Sequence, residues 1–192
     1  RRAAAHLFRR AGFSATFAEL DQAVERGPQA TTQRLLAGEQ GSEAFADGMQ
    51  RFATSVLGRD STESLASWWL YRMRHTPAPL LEKTTFFWHG HFATSAAKVD
   101  DAKLMLRQND LFRSQAFGDF QQLVKAIGRD PAMLLYLDGN QSTGAAPNEN
   151  YSRELLELFT LGIGHYTEDD IAAGARALSG WRVRPADTAP AF

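Results

Sequence analysis

The chain has 192 residues, 44% hydrophobic and 22% charged, with 21 Lys plus Arg against 22 Asp plus Glu and no cysteine. That length suits one domain or a piece of a larger one, burying roughly 70% of its unfolded surface. Near-neutral charge excludes a disordered acidic tail and an extended nucleic-acid surface, leaving only a local basic patch open, and the lack of cysteine excludes disulfides, thiol nucleophiles, Cys-ligated zinc and iron-sulfur clusters.

Leu and Ala number 21 and 30 against 8 for Val plus Ile, so the apolar residues are mostly helix formers. They predict an all-α fold, an irregular assembly of about nine to eleven short helices with little or no sheet. It occupies 1–192 as one helical domain or as the N-terminal fragment of a larger one, with an irregular tail over 181–192. Arg outnumbers Lys 17 to 4, which suits phosphate or carboxylate clamps but also follows from GC-rich coding. No apolar run reaches the roughly 20 residues of a membrane helix. His6, Arg9 and Arg10 break any signal peptide after Arg1 and Arg2.

In chain order, Thr16 with Glu19 predicts a capping box for a helix whose Phe17, Leu20 and Val24 share a face, stopped at Gly27. A helix from Pro28 to Ala37 follows, then a loop from Glu39 to Ser42 and a new start near Ser42. Thr62 to His75 carries Leu65, Trp68, Trp69 and Met73 at helical spacing before Pro77. Pro79 to about Ala93 is helical, with Leu80, Thr84, Phe87 and His91 on one face and Gly90 weakening the last turn. Asp100 or Asp101, Gly118 or Asp119, and Asp130 before Pro131 open three more helices, the last running to Leu137. A polar loop spans Asp138 to Ala146. Helices over Pro147–Leu161 and Glu168–Ser179 follow, the second capped by Thr167, and Trp181 to Val183 is extended.

Three groups of residues invite chemistry. In Trp88-His89-Gly90-His91 the imidazoles stand two apart, and on a regular helix they point away from each other. They are structural imidazoles at a helix end, or, if Gly90 breaks the helix, a metal or general-base pair. In Asn148-Glu149-Asn150-Tyr151-Ser152-Arg153-Glu154, Glu149, Arg153 and Glu157 form one charged stripe, with Tyr151, Leu155 and Leu158 on another face. Asn148 as cap with Glu149 on the helix dipole explains the string structurally; oxygen ligands for a hard cation, or a carboxylate beside a clamping Arg, explain it functionally. The Asp138 to Gly144 loop is oxygen-rich without EF-hand spacing, and its Asp138 and Asn140, together with Glu149, are the metal candidates.

The strings HLFRRAGFSAT from His6, EKTTFFWHGHFATS with Lys98 and Val99, RDPAMLLYLDGNQS, APNENYSRELLELFTLGIGHYTEDDI and ARALSGW together resemble the bacterial family catalogued as domain of unknown function 1800. The resemblance runs from about His6 to Trp181. It implies a longer protein of which this chain is the N-terminal portion, export to the periplasm or cell envelope, and a neighbouring exported protein similar to sulfatases and phosphatases. The family pattern has Asn where this chain has Gly90, while Asn148, Glu149, Asn150, Arg153 and Glu154 match it. No catalytic assignment comes with the resemblance.

The first functional expectation is a hydrolase with His89, His91, Glu149, Arg153 and Glu154 as catalytic residues and Asn148, Asn150 and Trp88 on the ligand. Arg153 would hold an anionic group or orient Glu149. The alternative is a noncatalytic helical module that binds or escorts the neighbouring exported enzyme, with the missing C-terminal half and that enzyme as partners. A second alternative is a structural domain stabilised by a divalent cation.

Overall fold

The computed structural model describes residues 1–37, 42–58 and 61–183, with Ser42 described by its backbone alone. The loop expected over 39–41 and the tail expected beyond 183 lie outside the described residues. Among the described residues helix accounts for 72% and strand for 1%, without a sheet, so the architecture is the all-α one expected. Twelve α-helices occur among the described residues, nine of them seven residues or longer. The chain divides into two compact units, 1–87 and 88–192, with the boundary inside a helix.

The first unit holds α1 (Arg2–Ala11), α2 (Phe17–Arg26), α3 (Pro28–Ala37), α4 (Ser42–Leu57), α5 (Thr62–His75) and most of α6 (Pro79–His91). Thr16 and Glu19 form the capping box of α2. Of the face shared by Phe17, Leu20 and Val24 on α2, Phe17 is 80% and Val24 51% exposed and Leu20 half-buried, while Ala23 is the buried residue. A small side chain is needed there because Thr31 Oγ on α3 reaches the Ala23 carbonyl, at 3.3 Å, as well as that of Gly27, at 2.7 Å. Trp68 Nε1 donates to the Met49 carbonyl at 2.9 Å and fastens α5 to α4 over buried Ala53 and Val56.

One buried position on α5 is charged. Leu65, Trp68 and Arg72 share its inner face, and Arg72 Nε donates to Glu82 Oε1 at 2.5 Å, with the carboxylate fully buried on α6. The guanidinium also lies near the rings of Phe45 and Trp68, at 5.7 and 5.8 Å, where a cation gains from the aromatic quadrupole.

The second unit contains α7 (Ala96–Val99), α8 (Ala102–Ser114), α9 (Phe120–Ile127), α10 (Pro131–Tyr136), a short 3₁₀ turn (Gly139–Gln141), α11 (Asn150–Glu154) and α12 (Glu168–Ala177). Asp101, Asp119 and Asp130 cap α8, α9 and α10 through their side chains. Asp100 instead ends the short α7 in a left-handed conformation, φ 50°. The core gathers Phe92, Phe112, Leu123, Ile127, Met133, Tyr151 and Phe159.

Beyond α11 the chain continues as a π-helical turn, Leu155–Thr160, in place of a regular helix to Leu161. Its i to i+5 bonds insert one extra residue per turn. The register therefore slips: Phe159 is 4% exposed and packs beside Tyr151, while Leu158, expected on the Tyr151 face, is 59% exposed. The helix also starts later than expected, at Asn150, and α12 ends at Ala177, short of Ser179.

Candidate functional site

The histidines of α6 enter the aromatic core of the second unit. His91 Nε2 lies 3.0 Å from the Phe159 carbonyl, and because a carbonyl only accepts, Nε2 carries the proton. Its ring meets Phe92 edge-on at 4.6 Å and Phe120 at 6.2 Å. His89 sits edge-on to Phe112 at 6.2 Å, and burial pushes its pKa down, favouring the neutral imidazole. Trp88 stacks on Phe120 and donates through Nε1 to the Ala116 carbonyl at 3.0 Å.

The polar residues expected beside them are joined by hydrogen bonds at the start of α11. Arg153 grips Glu168 with both nitrogens of its fork, at 3.0 and 2.8 Å, and reaches Glu149 at 3.4 Å. The bond to Glu168, with the nearby carboxylate charge, raises the Arg153 pKa, and the same bond, with the guanidinium charge, lowers that of Glu168. Tyr166 donates to Glu157 Oε2 at 2.7 Å, which raises the phenol's pKa. Asn148 Oδ1 accepts from the backbone N–H of Asn150 at 2.9 Å, while Glu149 takes the cap position without a side-chain cap bond. Glu154 is half-buried.

The oxygen-rich loop is likewise engaged within the chain. Asp138, left-handed at φ 58°, pairs with Lys98 Nζ at 2.9 Å and lies 3.5 Å from Asn150 Nδ2. Asn140 Oδ1 accepts from the Val183 N–H at 2.7 Å. Among the described residues no three His, Asp or Glu side chains are grouped where they could hold one metal ion. Sequence reasoning missed Lys98, Tyr166 and Glu168 in this cluster, although all three stand in the strings quoted above.

The second unit also holds a buried polar knot. Asp130 Oδ1 accepts from the Met133 N–H at 3.0 Å and from Gln108 Nε2 at 2.7 Å. Asp130 Oδ2, Gln108 Oε1 and the Tyr151 hydroxyl find no partner among the described residues. Burial, opposed by those hydrogen bonds, pushes the Asp130 carboxyl up to about 6, and burial followed by the Asp130 charge raises Tyr151. Only glycine fits at 128, since a Cβ there would come within 2.9 Å of the Tyr151 hydroxyl.

A second candidate lies wholly in the first unit, and residue types alone gave no sign of it. A cleft of about 860 Å³ opens among α2, α3, the end of α5 and the loop after α1. The loop is held close because Gly12 lacks a side chain: a Cβ would stand 3.1 Å from Pro79 Cβ and 3.2 Å from the Phe8 carbonyl. Phe13 then meets Phe86 edge-on at 6.5 Å and lies under Lys83 at 5.1 Å, fixing Ser14 and Thr16 on the cleft wall. Arg26 from α2, Arg34 from α3 and Arg74 and His75 from α5 line the same space. The stretch GFSAT, part of the first family string, supplies its rim.

The sequence profile of the family described as Protein of unknown function (DUF1800) matches residues 6–192, and the chain belongs to that family. No curated protein and no solved structure matches it.

Proposed function

Taking membership of the DUF1800 family as the premise, we propose that this chain is a helical binding module that holds a small ligand in the cleft of its first unit. The supporting observation is the cleft itself, a concave space of about 860 Å³ lined by apolar side chains such as Leu35, Leu70 and Met73 and by polar ones such as Arg26, Arg34 and Arg74, within the size range of ligand pockets. The module serves an exported enzyme encoded nearby, in the periplasm or envelope; the family resemblance supports that setting.

Calorimetric titration of the full chain with a panel of small aromatic ligands tests the reading. Binding is expected in the native protein and is abolished by Ser14→Trp, which fills the cleft from an exposed position on its wall. Native heats that survive in Ser14→Trp would place the ligand elsewhere and end the proposal.

The hydrolase reading, with His89, His91, Glu149, Arg153 and Glu154, draws support from one feature, the π turn directly after α11, since such turns recur at functional sites. It requires Glu149→Gln to slow hydrolysis of ester substrates by roughly a hundredfold or more. The cation-stabilised reading, through Asp138, Asn140 and Glu149, requires a chelator to lower the melting temperature.

A further inference from the structure

We infer that the cleft of the first unit selects an organic anion, a phosphate or carboxylate head on an apolar body. The inference rests on the binding reading above and names its ligand class. Three guanidiniums, Arg26, Arg34 and Arg74, line the space, against one carboxylate, Glu19. That carboxylate is already engaged: Glu19 Oε2 accepts from the Thr16 N–H at 2.6 Å and from its hydroxyl at 2.7 Å. Arg26 and Arg74 take part in no ion pair among the described residues.

Their positions have a local cause and a tertiary consequence. Arg26 and Arg74 each occupy the last turn of a helix, α2 and α5, where a cation complements the negative end of the dipole. The dipole explains the sign of the charge at each helix end. It does not explain why two such ends and α3 converge on one concavity, which follows from the packing of the unit. A guanidinium fork matches phosphate and carboxylate oxygens two at a time. Leu35, Leu70, Met73 and Pro77 supply apolar surface for the rest of the ligand, and the Ser14 and Thr16 rim supplies polar groups.

The test titrates the full chain with phenyl phosphate, benzoate and benzyl alcohol, three probes that share a ring and differ in the head group. The anions are expected to bind about tenfold or more tightly than the alcohol, with affinity falling as salt is added. Arg26→Gln and Arg74→Gln each weaken the anions by about tenfold while the alcohol is unchanged and circular dichroism shows the fold intact. The ratio of phenyl phosphate to benzoate affinity distinguishes the phosphate from the carboxylate source. Equal binding of all three probes, or anion affinity unmoved by both arginine variants, overturns the anion class while leaving a ligand cleft in place. Failure of every probe to bind, or binding that persists in Ser14→Trp, removes the cleft reading itself, and the anion class with it.

Discussion

The cleft of the first unit and the charged cluster of the second use the same residue types to opposite ends. In the cluster, Arg153 gives both arms of its fork to Glu168 and a further contact to Glu149, Lys98 takes Asp138, and Tyr166 takes Glu157. Charges and donors are satisfied by the chain itself, and the main product is a tie between α11 and α12. In the cleft, Arg26 and Arg74 face a concave space without an ion-pair partner among the described residues, and the one lining carboxylate caps a helix. A motif dense in charged residues is thus no guide to where charge is available. Availability depends on whether the fold brings a counter-charge within reach.

The comparison breaks most sharply at the buried pair beneath the cleft-bearing helices. Glu82→Ala leaves Arg72 charged and buried without its carboxylate, and a loss of about 3 to 5 kcal/mol is expected in denaturant unfolding, with Glu82→Gln losing less. Unchanged stability in Glu82→Ala would show that the pair does not hold α5 against α6.

The second unit carries its largest electrostatic cost inside the core. Asp130 has a folded pKa of about 6, above its ordinary value of 3.8, so between these values the native state binds more protons than the unfolded state. The contribution of this group is greatest below the unfolded value and falls as pH rises through the folded one, by on the order of 2 to 3 kcal/mol. Asp130→Asn keeps a capping oxygen and is expected to flatten that decline in melting temperature. His89 works in the opposite sense: its lowered pKa removes stability as pH falls from the ordinary histidine value through the folded one. A decline of equal size in Asp130→Asn would assign the pH dependence to other groups.

A smaller effect falls on the rim of the cleft. Thr16→Ala removes the side-chain half of the α2 capping box, leaving the backbone N–H of residue 16 on Glu19, and is expected to cost about 1 kcal/mol, read as a lower unfolding midpoint. It also removes the hydroxyl's bond to Glu19 while the backbone N–H bond stays, so anion affinity in the cleft should fall slightly as that carboxylate is held by one bond in place of two. The smallest effect is expected in the cluster: Glu168→Gln should lower the melting temperature slightly at low salt and not at high salt, as exposed ion pairs are screened. A large, salt-independent loss there would mean that the cluster is more than a surface tie.

Much of the fold was legible in the residues. Thr16, Asp130 and Thr167 each have a side-chain oxygen three residues before an orphaned N–H, a relation wholly local to the sequence, and all three cap the helices they announce. Local spacing failed where packing decided. On α2 the apolar stripe through Phe17 and Val24 stayed outside because the close approach of α3 needed Ala23. After α11 the π turn moved Phe159 inward and Leu158 outward, a one-residue slip that no periodicity rule contains. The spacing read from Leu65, Trp68, Trp69 and Met73 did not single out Arg72 on the buried face, and its partner Glu82 stands on another helix.

The candidate site divides in the same way. The strings around His89, His91 and Asn148 to Glu154 marked the segments that carry the family's signature, and the structure shows Glu149 joined to Arg153, and the hydrogen bond of His91 running to the carbonyl of Phe159. By itself the sequence determined the helices, most of their caps and the family, because these depend on neighbours a few residues away. Tertiary structure alone decided which charges are spent and which line a space, because Arg26 and Arg74 meet at one cleft only when α2 and α5 pack, and a guanidinium's role is set by what lies within a few ångströms of it.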